Sequence, residues 1–166
     1  MRTLLALVLL AAGTAAAAEP FESIDGGTID IALHDGPVLL VNTASLCAYT
    51  PQLEGLQALH EAYGPRGLLV LAVPSDDFRQ ELGSEAEIAA FCEAQFGLTL
   101  PMTAITHVLG AEAHPVYRDL AAQGFVPAWN FNKALIEDGR LVAGYGSGVR
   151  PGGRELTRAI EAALGG

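Results

Sequence analysis

Apolar residues alternate with polar ones in some stretches of this chain and form short unbroken runs in others. From Phe21 to Leu33 the sequence FESIDGGTIDIAL alternates around Asp25-Gly26-Gly27, the pattern of a β-hairpin. Val38 to Val41 (VLLV) and Leu68 to Val73 (LLVLAV) are continuous and β-prone, the pattern of strands buried on both faces. Between them, the spacing of Leu53, Leu56, Leu59 and Tyr63 predicts a helix with Thr50 as N-cap, Pro51 at its first position and Gly64-Pro65 as its stop. Ser84 and Glu87 have capping-box spacing, and Ile88, Phe91 and Cys92 share one face of the helix that follows, closed by Gly97. A short helix is predicted from Pro115 to Ala122. Phe131 to Ile136 and Leu141 to Tyr145 flank Glu137-Asp138-Gly139 as a second hairpin. A final helix from about Gly153 to Leu164 packs on Leu156, Ile160 and Leu164.

Two β runs separated by one helix imply a parallel pair joined by a right-handed crossover, and the second hairpin adds antiparallel strands. The expected architecture is α/β: a thioredoxin-like fold with a central mixed sheet flanked by helices and an N-terminal β-hairpin. No repeat or linker interrupts residues 19–166, which read as one domain. In this plan the loop leaving the first core strand lies at the carboxyl end of the sheet, where α/β proteins gather their sites. Residues 1–18 differ in kind. Arg2, an apolar stretch from Leu4 to Ala12 and a small-residue tract ending at Ala18 read as a cleaved signal peptide, so the expected location is exported and periplasmic. The unbroken apolar run is shorter than the ~20 residues that span a bilayer.

The formal charge of −10 argues against nucleic acid or anionic membrane as a partner, because neutralising phosphates needs clustered Lys and Arg. His34, His60, His107 and His114 are scattered without metal-ligand spacing, and no Gly-rich phosphate loop precedes a helix. No metal or cofactor is expected. The chemistry that remains is sulfur. Cys47 stands where a strand hands over to a helix, a place where unpaired backbone N–H groups and the helix dipole favour a thiolate. Cys92 lies on an apolar helical stripe and reads as core. With no C-x-x-C, three readings of Cys47 stay open: a nucleophile, half of a structural disulfide with Cys92, or a small buried hydrophobe.

The run Asn42-Thr43-Ala44-Ser45-Leu46-Cys47-Ala48-Tyr49-Thr50 resembles the peroxidatic loop of glutathione peroxidases. The likeness continues in order through Gly67-Leu68-x-Val70-Leu71, Gln80-Glu81-x-Gly83-Ser84-x-x-Glu87-Ile88-x-x-Phe91-Cys92, Pro101-Met102, His114-Pro115-x-Tyr117 and Trp129-Asn130-Phe131-x-Lys133. The resemblance implies a thiol peroxidase acting on hydrogen peroxide or organic hydroperoxides. Its catalytic tetrad falls on Cys47, Gln80, Trp129 and Asn130. It makes Cys92 the resolving cysteine, and a thioredoxin-like protein or glutathione the reductant. The chain departs from the family at three points. Ala48 replaces a usual Gly. The Asp76-Asp77 loop is one residue short and carries two acids, which are expected to be solvated and would raise the thiol pKa if they faced it. The connection from Ala121 to Ala128 is too short for the subunit-contact loop of tetrameric members, which implies a monomer. Two other readings compete: a thioredoxin-fold disulfide oxidoreductase, and a non-enzymatic binding module stapled by a Cys47–Cys92 disulfide.

Overall fold

The structure is a computed structural model that describes residues 19–165, so the leader expected over 1–18 lies outside the described residues. Strands β1 (Phe21–Glu22) and β2 (Thr28–Ile29) form a small antiparallel hairpin. Then follow β3 (Val38–Thr43), α1 (Gln52–Tyr63), β4 (Leu69–Pro74), α2 (Glu85–Phe96), α3 (Pro115–Ala122), β5 (Lys133–Glu137), β6 (Arg140–Tyr145) and α4 (Arg154–Ala163). The main sheet has the order β4-β3-β5-β6. β3 runs parallel to β4 and antiparallel to β5, and β5 and β6 are the antiparallel hairpin that the pattern predicts. This is the thioredoxin-like α/β plan.

The strand period of two explains how the sheet divides its core. Leu39, Val41, Val70, Ala72 and Leu135 point to one face, where Leu53 and Leu56 of α1, Ile88 of α2, and Leu156 and Ile160 of α4 cover them. Val38, Leu40, Leu71, Val73, Ala134 and Ile136 point to the other, covered by Val116, Tyr117 and Leu120 of α3. β3 is buried along its whole length, which is why its sequence is continuously apolar until Asn42. The two cysteines belong to the first of these clusters.

Three element boundaries differ from the sequence expectation. The first hairpin does not continue to Leu33. Asp30 accepts from the Ala32 N–H at 2.9 Å and turns Ile31–Leu33 into a short 3-10 helix. Thr50 does not cap α1, because its hydroxyl is committed to the Cys47 turn, and Pro51 sits at the cap without a side-chain bond. The strand expected from Phe131 begins only at Lys133, because Phe131 takes a left-handed φ of 62°. For a phenylalanine that conformation costs about 1–2 kcal/mol, so tertiary contacts must hold it. The helix α2 follows its signals closely. Ser84 accepts from the Glu87 N–H, and Gly97 ends the helix at φ 58°. Among the described residues no helix is long and apolar enough to cross a membrane.

Candidate active site

β3 ends in Asn42 and Thr43, and the chain then winds through consecutive turns before α1 starts. Thr50 organises these turns. Its Oγ1 accepts from the Cys47 N–H at 3.1 Å and sits 2.8 Å and 2.7 Å from the Ala44 and Cys47 carbonyl oxygens, to which its hydroxyl can donate. Cys47 is thereby held five residues ahead of the first residue of α1, not on the helix end itself. Its Sγ is 7% exposed as a residue and accepts from the Tyr49 N–H at 3.5 Å. A local backbone donor, more than the helix dipole, meets the sulfur.

The segment after β4 closes over this turn. Asp76 O accepts from Arg79 N–H at 2.8 Å, with Arg79 in a left-handed φ of 56°. That tight turn leads directly into Gln80. The Gln80 carbonyl accepts from Leu46 N–H at 2.9 Å, and Glu81 Oε1 accepts from Ser45 N–H at 2.9 Å. Gln80 is therefore fastened beside Cys47 through the backbone of the residue that precedes the cysteine. Its side-chain Oε1 accepts from Asn130 Nδ2 at 3.0 Å, which leaves the Gln80 amide NH2 uncommitted among the described residues. Asn130 is fully buried, and its Oδ1 has no partner among the described residues. Trp129 is 41% exposed and tilts against Phe78, with ring centroids 5.3 Å apart.

A buried amide network, which the sequence reading did not single out, positions Trp129 and Asn130. Asn42 Nδ2 donates to the Trp129 carbonyl at 3.0 Å, and its Oδ1 accepts from Asn132 N–H at 3.1 Å. Asn132 Oδ1 accepts from Ala128 N–H at 2.9 Å, and its Nδ2 donates to Ser147 Oγ at 2.9 Å. Ser147 Oγ in turn donates to the Asn130 carbonyl at 2.6 Å. The signal in the sequence was there: Asn42 ends an otherwise apolar strand, and Asn130-Phe131-Asn132 sets two amides around one aromatic. Buried amides are retained where their bonds are satisfied, so such residues mark a built turn.

Of the two acids of the short loop, Asp76 is exposed, as the sequence suggests, whereas Asp77 is largely shielded, which corrects the expectation for that residue. Asp77 Oδ2 accepts from the Val108 and Leu109 N–H groups at 2.7 and 2.9 Å, and Oδ1 meets His107 Nδ1 at 2.7 Å. That contact raises the His107 pKa. Asp76 Oδ1 accepts from Glu81 N–H at 3.1 Å. The Asp77 carboxylate is spent on fixing the loop, and one oxygen of Asp76 supports it. Ala48 does not sit at positive φ; the only non-glycine residues there are Arg79, Phe131 and Asp138 among the described residues. The backbone at position 48 therefore does not require glycine.

Cys92 lies on the buried face of α2 and is a free thiol, like Cys47. Burial, and after it the Glu81 carboxylate, push its pKa up to about 11. The structure thus brings Cys47, Gln80, Trp129 and Asn130 to the carboxyl end of the sheet, and places Cys92 on the helix that follows, within the same apolar cluster as Cys47. Leu46, Tyr49 and Trp129, three of the large apolar side chains exposed to solvent, surround this end.

Comparison with known proteins gives one family. The glutathione peroxidase sequence pattern matches residues 19–121. The chain is 40% identical over 143 residues to a hydroperoxy fatty acid reductase of Synechocystis sp., covering 78% of this chain and 85% of that protein. It is 41% identical over 134 residues to a glutathione peroxidase-like peroxiredoxin of Schizosaccharomyces pombe, covering 76% and 84%. Among solved structures it is similar to a T. cruzi protein titled GPX1, with a TM-score of 0.69 and 28% identity over 89% of this chain and 95% of that one.

Proposed function

This chain belongs to the glutathione peroxidase family, and from that premise we propose that it is a thiol peroxidase whose reacting sulfur is Cys47. The observation that carries the assignment is the construction of the Cys47 turn. A backbone N–H meets the sulfur, and the Gln80–Asn130 amide pair is tied to the adjacent Leu46. The Cys47 thiolate attacks the terminal oxygen of a hydroperoxide and breaks the O–O bond. The sulfur becomes a sulfenic acid, and the departing alkoxide or hydroxide takes up a proton as alcohol or water. The Gln80 amide and the Trp129 indole N–H are neutral donors, able to stabilise thiolate and alkoxide without titrating.

Cys92 is the proposed resolving cysteine. Its thiol adds to the sulfenic sulfur, water leaves, and a Cys47–Cys92 disulfide remains for a thioredoxin-like protein or glutathione to reopen. A disulfide needs Cα atoms within about 7 Å, and since Cys92 starts buried on an intact α2, the proposal has that helix partly unwind as Cys92 bonds to Cys47. The exposed apolar rim of Leu46, Tyr49 and Trp129 supports hydroperoxides with an apolar body as substrates, beside hydrogen peroxide. This reading accords with a relative named for hydroperoxy fatty acids. Cleavage of residues 1–18, action in the periplasm and a monomeric state belong to the same proposal. N-terminal sequencing of the exported protein and its mass in solution check them.

The decisive experiment treats reduced wild-type, Cys47→Ser and Cys92→Ser proteins with peroxide and maps the products by mass spectrometry. Expected are a Cys47–Cys92 disulfide in the wild type and a trappable sulfenic acid on Cys47 in Cys92→Ser. Oxidation of Cys92 alone, or of neither thiol, would overturn the assignment.

A further inference from the structure

Lys133 is fully buried at the start of β5, and peroxide chemistry as described makes no use of it. Its Nζ donates to the Phe131 carbonyl at 2.7 Å and pairs with no carboxylate among the described residues. An ammonium without a counter-ion in a protein interior is costly and uncommon. The carbonyl it holds belongs to the one residue of the Trp129-Asn130-Phe131-Asn132 turn that sits in the left-handed region. On its other side the same residue is fixed by the Phe131 N–H, which donates to Asn42 O at 2.6 Å. Phe131 is thus pinned at both ends, by β3 and by Lys133. A buried carbonyl pointing out of strand geometry needs a donor, and here the donor is a lysine.

We propose that Lys133 is a positioning residue for peroxide reduction: its ammonium holds the Phe131 carbonyl and so fixes the left-handed turn that carries Trp129 and Asn130 to Cys47. The proposal rests on the assignment of Cys47 as the peroxide-reactive thiol. Lys133 faces Val41 across β3 and Tyr145 across β6. α1 and α4 meet this face with Leu53, Leu56, Leu156 and Ile160. The titratable groups here are the Cys47 and Cys92 thiols of the same cluster and the Tyr145 phenol, which itself feels Glu155 of α4. Burial alone lowers the Lys133 pKa, to about 8. The clamp therefore weakens as pH rises through that value, since a neutral amine is a poorer donor than an ammonium.

The test compares wild type, Lys133→Arg and Lys133→Met by single-turnover oxidation of Cys47 with hydrogen peroxide from about pH 6 to about pH 10, alongside amide exchange at Phe131. Arginine keeps the charge and donor and does not titrate in this range. Expected are a wild-type rate that falls about threefold or more above pH 8, a Lys133→Arg rate near wild type at neutral pH without that fall, and a Lys133→Met rate at least about tenfold lower throughout. Phe131 exchange should rise in Lys133→Met alone. Superimposable profiles for wild type and Lys133→Arg overturn the proposal, even if Lys133→Met fails to fold. So does a folded Lys133→Met with wild-type rate and exchange. Wild-type Cys47 reacting no faster than a free thiol overturns the Cys47 assignment and this proposal together, whereas the other failures leave that assignment standing.

Discussion

Replacing Asn42 with alanine should cost more in catalysis than its distance from any reacting atom suggests. Asn42 is 1% exposed and is the last residue but one of β3. Its side chain makes two bonds, Nδ2 to the Trp129 carbonyl at 3.0 Å and Oδ1 from the Asn132 N–H at 3.1 Å. Alanine leaves a buried carbonyl and a buried N–H without partners. Each such loss costs about 1–3 kcal/mol, so the variant should be destabilised by about 2–6 kcal/mol. A domain of this size holds about 5–15 kcal/mol, and the variant should still fold. The turn it releases carries Trp129 and Asn130. A shift of about 1 Å in a positioned group lowers rates by about a hundredfold, so Cys47 oxidation should slow by about 10- to 100-fold. Denaturant unfolding and single-turnover peroxide oxidation measure the two effects on one sample. A destabilisation under about 0.5 kcal/mol, or an unchanged oxidation rate in a folded variant, would refute the view that the amide network aims the site.

Cys92, with its pKa raised to about 11 by burial and then by Glu81, should resist alkylation in the folded reduced protein at neutral pH while Cys47 is modified. Its folded pKa lies above the unfolded value, so its contribution to stability is intact below about pH 8.5 and declines as pH rises toward 11; Cys92→Ala should flatten that alkaline fall in urea midpoints. His114 stacks on Phe21 at 3.9 Å and its pKa is lowered, chiefly by burial. The unfolded chain then takes up the proton first, so stability should drop as pH falls below about 6.5, and His114→Asn should lessen that drop in thermal melts. Ala48→Gly should leave the peroxide rate unchanged and cost up to about 1 kcal/mol, because no positive φ requires glycine there and glycine loosens the unfolded chain; a faster variant contradicts this.

The elements that could be read from the sequence were those whose signals are local. Ser84 and Gly97 bound α2 by side-chain capping and a left-handed stop, and the apolar runs of β3 and β4 announce strands buried on both faces. Cys47 was legible as a candidate nucleophile from its place between strand and helix, Gln80, Trp129 and Asn130 only as a family resemblance, and the fold does bring the four to one end of the sheet. What the sequence hid was settled by particular hydrogen bonds that the local pattern does not signal. Thr50 has the chemistry of a helix cap, yet its hydroxyl meets Cys47 and Ala44 instead. Phe131 has strand propensity, but Asn42 and Lys133 hold it left-handed. Asp77 has the composition of a solvated loop and is anchored by backbone N–H groups some thirty residues away. For Phe131 and Asp77 a tertiary hydrogen bond overrode a local preference, for Thr50 a bond within its own turn did so, and no pattern of spacing encodes these outcomes.

On the proposed function, the turn holding Cys47, with its amide donors, makes one of two free thiols into a peroxide reagent. The most direct measurement is the second-order rate constant for hydrogen peroxide with Cys47 and with Cys92, each followed in the variant lacking the other, at neutral pH. The account predicts that Cys47 reacts at least about a hundredfold faster than an unperturbed thiol, the scale of one well-placed donor, and that Cys92 reacts more slowly than such a thiol. Equal rates for the two cysteines, or a Cys47 no faster than a free thiol, would contradict it.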